Sequence, residues 1–164
     1  MQRRSKWIAE RYNPRTPNMK IWKIEITSEC EEALMTKIQL NQNEDCGILF
    51  ASQISDNCIR VNSISNSCSI NYLARKNSCS LDIKKANDFI IEEYEKSNHT
   101  RFYIGEWHTH PEDNPHPSFR DIRSLKESYK KNHLVISNLI LMAIVGRHSI
   151  CWKMFDGVNL KNIK

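Results

Sequence analysis

Two histidines one residue apart stand in the segment Gly105-Glu106-Trp107-His108-Thr109-His110-Pro111, and Asp121 follows eleven residues after the second. On a β-strand, side chains alternate between faces, so His108 and His110 point the same way. Two imidazoles on one strand face, with a carboxylate at the start of the next helix, can form a three-ligand metal site. Three protein ligands leave one coordination position open for water, which marks a catalytic rather than a structural zinc site. Pro111 ends the strand directly after His110 and turns the chain away, so that Asp121 can return. A bare His-x-His pair carries little weight, because two surface histidines beside a proline-rich loop need no ligand. The surroundings add to it: Ser118 lies three residues before Asp121, and a separate acid, Glu44, stands upstream at a strand edge.

Other residues near this segment have simpler readings. Glu106 shares the strand face of His108, which makes it a rival base or an outer partner for a ligand imidazole. Trp107 and Thr109 point to the opposite face, where Trp107 reads as a core residue. His116 lies in the Asp113-Asn-Pro-His-Pro117 stretch and reads as a solvated loop residue. His99, His133 and His148 have no partners in spacing and read as structural or surface positions.

The elements that must hold this segment follow from periodicity and punctuation. Residues 20–26 alternate polar and apolar, as a short strand does. Ser28-Glu-Cys-Glu31 reads as a capping box opening a helix that ends near 41–43. Residues 46–54 and 58–64 read as strands joined by the turn Ser55-Asp-Asn57, and 65–80 as a long polar loop. Residues 81–97 form an amphipathic helix pattern, and 101–110 a strand. Two prolines in three residues keep 113–117 irregular. A further helix runs from Ser118 to about Lys130, and 139–145, nearly all apolar, suits a central strand buried on both faces. Residues 149–155 pair back across Gly146-Arg-His148. The expected fold class is α/β (α+β): one domain over 20–164, with a mixed central β-sheet flanked by about three helices, preceded by a basic N-terminal extension at 1–19.

Composition narrows the function classes. The chain has 164 residues, 24 Lys+Arg against 19 Asp+Glu, and a formal net charge of +5. Much of that excess sits in 1–20, where Arg3, Arg4, Lys6, Arg11, Arg15 and Lys20 face a single acid, Glu10. No aromatic interleaving accompanies these residues, so a solvated basic arm is the expectation and a nucleic-acid partner is not. Four glycines cannot build a phosphate-cradling loop. No run approaches the ~20 apolar residues of a membrane span, and no signal-peptide core follows the basic start. The six cysteines include no C-x-x-C pair. They read as reduced thiols of a cytoplasmic protein, most of them small core residues.

The segment resembles the JAMM (MPN-plus, or JAB) metallopeptidases. The resemblance rests on His108-x-His110-Pro111, the interval to Asp121, Ser118-x-x-Asp121, and a glutamate before a glycine-rich strand, here Glu44-Asp45-Cys46-Gly47-Ile48-Leu49-Phe50-Ala51. Cys46 and Ala51 stand where glycines are usual. The element order matches as well, so the resemblance covers about 20–155. It implies one zinc ion per chain held by His108, His110 and Asp121, which would lower the pKa of a bound water toward ~7. It also implies Glu44 as general base and Ser118 as hydrogen-bond donor to the tetrahedral oxyanion; judged from spacing alone, Ser118 reads equally well as a plain helix N-cap. The Tyr103-Ile-Gly-Glu-Trp-His-Thr-His-Pro111 stretch is most similar to the prokaryotic JAB branch, which includes deconjugating peptidases of bacterial CBASS antiphage operons. That likeness implies a conjugated protein substrate with an extended C-terminal tail, cut after its C-terminus. The first choice is a CD-NTase, a cGAS-like cyclic-oligonucleotide synthase, and the second a ubiquitin-like protein. A non-catalytic scaffold of the same fold and a small-amide hydrolase are the other readings.

Overall fold

The computed structural model describes residues 21, 23–40, 43–70, 79–131 and 139–163. The basic extension expected at 1–19 lies outside them, as do 71–78 of the long polar loop and His133. In chain order the elements are β1 (Lys23–Ile26), α1 (Ser28–Leu40), β2 (Cys46–Ser55), β3 (Cys58–Ile64), α2 (Ile83–Lys96), β4 (Arg101–Thr109), α3 (Phe119–Lys131), β5 (Ile140–Val145), β6 (Ile150–Phe155) and β7 (Leu160–Asn162).

The strands form one seven-stranded sheet in the order β1-β3-β2-β4-β5-β6-β7. The β1–β3 and β4–β5 pairs are parallel, and the remaining pairs are antiparallel. The sheet is mixed, as the element order led us to expect. Apolar cores line both of its faces. On one face, Cys30 and Leu34 of α1 pack with Leu49, Ile59, Ile104, Trp107, Leu141 and Trp152. On the other, Ala86 and Ile90 of α2 and Leu125 of α3 pack with Ile48, Phe50, Tyr103, Ile140, Met142 and Ile144. Covering both faces buries every residue of β5, which explains its unbroken apolar run.

Two local features aim β4. Its pairing with β2 runs Leu49↔Gly105 and then Phe50↔Tyr103, so Ile104 is an extra residue in the ladder. Such a bulge reverses the alternation of side chains. Tyr103 therefore faces α2 and α3, and so do Glu106, His108 and His110 beyond the bulge, while Trp107 turns into the α1 core. Gly105 permits the close approach of β5 at this point: a Cβ there would lie 2.0 Å from the Leu141 carbonyl oxygen.

Two expectations need correction. The cap of α1 is Thr27, whose Oγ1 accepts from the Cys30 N–H at 3.2 Å, whereas Ser28 lies inside the helix and bonds to Glu29. Both residues have a capping side chain, and the sequence does not distinguish a threonine one position earlier. Nor are all six cysteines free. Cys46 and Cys79 form a disulfide across a separation of 33 residues, leaving Cys30, Cys58, Cys68 and Cys151 as thiols. The Cys68 N–H donates to the Cys46 carbonyl, the Ile70 N–H donates to the Ser80 carbonyl and Ser69 bridges to Leu81, which holds Cys79 near the start of β2. Nothing in the spacing of the cysteines announces that return.

Candidate active site

The end of β4 delivers His108 and His110 to the face beneath α2 and α3, and Asp121 reaches them from the first turn of α3. His108 Nε2 lies 3.4 Å from Asp121 Oδ1, and His110 Nε2 lies 3.5 Å from Asp121 Oδ2. Metal–ligand distances of 2.0–2.1 Å in a tetrahedral site require donor separations of about 3.4 Å. One donor atom from each residue lies within 4.8 Å of the other two. His108 Nε2 is moreover buried without a hydrogen bond, a costly state that a metal ligand at this point would relieve. The donor set and its geometry therefore fit a divalent metal ion.

The charges agree with that fit. Burial pushes the Asp121 carboxyl up, but His108 and the Ser118 hydrogen bonds outweigh burial and hold it below the ordinary carboxylate range. Burial and the neighbouring His108 hold His110 below its ordinary value, favouring the neutral imidazole that binds metal.

Ser118 and Asp121 cap α3 reciprocally. The Ser118 N–H donates to Asp121 Oδ2 at 2.7 Å, and the Asp121 N–H donates to Ser118 Oγ at 3.2 Å. The helix cap thus exists. Ser118 Oγ is used there as an acceptor, and its hydroxyl also lies against the Asp121 carboxylate and helps to hold it low. The cap and a donor role in the site are compatible once that proton turns from Asp121 to another acceptor.

Glu44 lies just before β2 and lines the same cleft as the two histidines, Ser118 and Asp121. Burial raises its carboxyl to about 6, with His108 opposing the rise and Asp121 adding to it. A carboxylate tuned to that range suits proton transfer near neutrality. Its neighbour Asp45, which the sequence reasoning missed, fixes this corner. The Asp45 N–H donates to Thr109 Oγ1 at 2.8 Å, the Thr109 N–H donates back to the Asp45 carbonyl at 2.9 Å, and Ser67 Oγ bonds to Asp45 Oδ1. Asp45 is 4% exposed. In the sequence it is one of two adjacent acids, and nothing marks it as the buried one.

Glu106 forms no hydrogen bond to either imidazole. Its Oε1 instead accepts from Tyr103 and Ser128, each at 3.3 Å. Burial raises its carboxyl, while the two hydroxyls and His108 oppose the rise. Ser128 lies seven residues after Asp121, two turns along the same helix face, and that spacing is the one signal that could have joined it to the site. Trp107 is fully buried in the α1 core, as its place on the strand suggested. His116 is exposed. His99 stacks on Tyr94 and pairs with Glu95, and His148 lies 3.6 Å from Asp113. None of the three joins the His108–His110–Asp121 group.

Above these residues a cleft of about 850 Å³ runs between α2 and α3 over the sheet. No helix among the described residues is long and apolar enough to cross a membrane.

Comparison with known proteins gives the family and the fold. The chain is 45% identical over 79 residues to a CD-NTase/cGAS isopeptidase of Escherichia coli (strain TW11681), covering 48% of this chain and 42% of that protein. It is 46% identical over 58 residues to a CD-NTase/cGAS isopeptidase of Vibrio cholerae serotype O1, covering 35% of this chain and 34% of that one. These matches span less than half the length of either relative. The solution structure of protein DSY2949 from Desulfitobacterium hafniense superposes with a TM-score of 0.59 at 17% identity, covering 86% of this chain and 90% of that one, and shows the same fold. The family described as prokaryotic homologs of the JAB domain matches residues 27–154. That span runs from the cap of α1 nearly to the end of β6 and contains Glu44, both histidines, Ser118 and Asp121, and the chain belongs to the prokaryotic JAB family.

Proposed function

We propose that this chain is a zinc-dependent isopeptidase that cuts after the C-terminus of a conjugated protein, releasing a CD-NTase from its targets in a bacterial CBASS antiphage system. The carrying observation is the buried, unbonded His108 Nε2 converging with His110 and Asp121 at donor spacing. The names of the two isopeptidase relatives support the substrate class. A ubiquitin-like conjugate is the second choice, and the site of action is the cytoplasm.

In this reading His108, His110 and Asp121 hold one zinc ion per chain. Zinc bound there supplies Lewis acidity that makes water a nucleophile near neutral pH and polarises the scissile carbonyl. Glu44 takes the proton of the attacking water and passes it to the departing lysine amine. Ser118 Oγ–H donates to the carbonyl oxygen as negative charge develops on it. Glu106 lies two residues before His108 and is held by the Tyr103 and Ser128 hydroxyls rather than by the imidazole. The substrate tail lies extended along the cleft beside β4.

The test is elemental analysis joined to cleavage of a CD-NTase–lysine conjugate. Wild-type protein should carry about one zinc per chain and release the intact CD-NTase. Joint substitution His108→Ala and His110→Ala should remove both the zinc and the cleavage. Equal zinc in the double variant would refute the ligand assignment. A zinc-loaded protein that cleaves only ubiquitin-like conjugates would shift the substrate to the second choice, and one that cleaves neither would leave a non-catalytic module.

A further inference from the structure

The cleft continues past the triad, and its far part is built differently. Its walls there are apolar: Ile48, Ala86, Ile90, Leu125 and Met142 all line it. In the floor among them sits one carboxylate, Glu106, which keeps part of its surface open to the cleft. Tyr103 and Ser128 both donate to Oε1, which fixes the carboxylate in place. Among the described residues no hydrogen-bond donor reaches Oε2, and no lysine or arginine pairs with the group. Oε2 is left to accept a hydrogen bond from a group that enters the cleft.

Glu106 lies two residues from His108 on the same strand face, about 7 Å along the strand. An extended lysine or arginine side chain spans a comparable distance. Its methylenes suit the apolar walls and its charged tip suits the carboxylate. The lysine on the leaving side of an isopeptide bond cannot be the occupant, because its side chain is consumed by the bond. The acyl-side tail, whose residues run directly up to the scissile carbonyl, supplies the occupant.

We infer that Glu106 is a specificity-determining residue, the floor of a side-chain pocket that takes a lysine or arginine of the substrate tail next to the scissile bond. This deepens the function proposed above and rests on it.

The experiment uses the full zinc-loaded chain and short peptide tails joined by an isopeptide bond to a lysine reporter. Each tail position near the bond carries in turn arginine, lysine, glutamine, norleucine or glutamate. At one position, wild-type kcat/KM should favour arginine or lysine over norleucine by about tenfold to a hundredfold, the range for a hydrogen bond to a charged group. Glu106→Gln should bring that ratio close to one, and Glu106→Asp, which keeps the charge but withdraws it, should give an intermediate ratio. If Glu106→Gln does not fold, the wild-type preference and its reduction in Glu106→Asp carry the test. The inference is overturned if no position prefers a basic residue, or if Glu106→Gln slows all tails equally and keeps the ratio. Should the wild-type protein cut none of the tails, the proposed function fails, and the pocket is read by fluorescence anisotropy of the same tails. Tighter binding of the arginine tail than of the norleucine tail, lost in Glu106→Gln, would sustain the pocket, and equal or absent binding would overturn it.

Discussion

Ser118 offers a clean separation of two roles, because glycine removes one of them and nearly preserves the other. The hydroxyl caps α3 by accepting from the Asp121 N–H, and the bond in the other direction, to Asp121 Oδ2, comes from the Ser118 backbone. Ser118→Gly deletes the hydroxyl but keeps that backbone donor, so Asp121 stays anchored. Glycine at an N-cap costs only a few tenths of a kcal/mol relative to serine. Stability should therefore fall by less than about 0.5 kcal/mol, and zinc content should not change. If the hydroxyl also donates to the developing oxyanion, its removal costs about 3 kcal/mol of transition-state stabilisation. That is roughly a 150-fold loss in kcat, with KM little altered. Ser118→Thr, which keeps the hydroxyl, should recover most of the rate. The assay is steady-state cleavage of an isopeptide-linked tail, with urea denaturation and elemental analysis on the same samples. A Ser118→Gly enzyme within about threefold of wild-type kcat would show that the cap is its only task. Loss of zinc in that variant would show that it acts through Asp121 instead.

Other perturbations follow from the same geometry. Because burial raises Glu44 to about 6 from its ordinary 4.5, the folded protein binds its proton more tightly than the unfolded chain does. In metal-free protein the Glu44 contribution to stability should therefore fall as pH rises from 4.5 through 6. The two values cap the effect at about 2 kcal/mol, and solvent at the partly exposed carboxylate screens it to less. Paired urea titrations should show the drop in wild type and not in Glu44→Gln; parallel pH curves would refute it. Gly105→Ala would press a methyl into the Leu141 carbonyl, so thermal unfolding should reveal a loss of about 3 kcal/mol or more. Unreduced, denatured protein should titrate four thiols, and a count of six would contradict the Cys46–Cys79 bond.

The residues bearing the clearest signals were legible in the sequence for physical reasons. Alternation placed His108 and His110 on one face, the apolar run of β5 announced a strand covered on both sides, and Ser118-x-x-Asp121 marked a helix start. What escaped depends on long-range placement. The Ile104 bulge, which decides that Tyr103 and Glu106 share a face, is a property of pairing with β2 rather than of β4 alone. The Tyr103–Glu106–Ser128 contact joins a strand to a helix 22 residues further on, and its partners are common polar side chains. Asp45 is buried by a threonine on β4 and a serine of the polar loop, neither of which is near it in sequence. The disulfide likewise depends on the path of a loop, which cysteine spacing does not encode. Thr27 took the cap from Ser28 because adjacent residues of equal capping chemistry compete on backbone geometry alone.

The central claim is that His108, His110 and Asp121 hold a metal at which a conjugated C-terminus is released by water. It is tested most directly by digesting a CD-NTase–lysine conjugate in heavy-oxygen water and weighing the products. Intact CD-NTase with one heavy oxygen in its new terminal carboxylate should form with the zinc-loaded wild type and not with the His108→Ala, His110→Ala variant. Unlabelled product, or equal release by the zinc-free double variant, would contradict it.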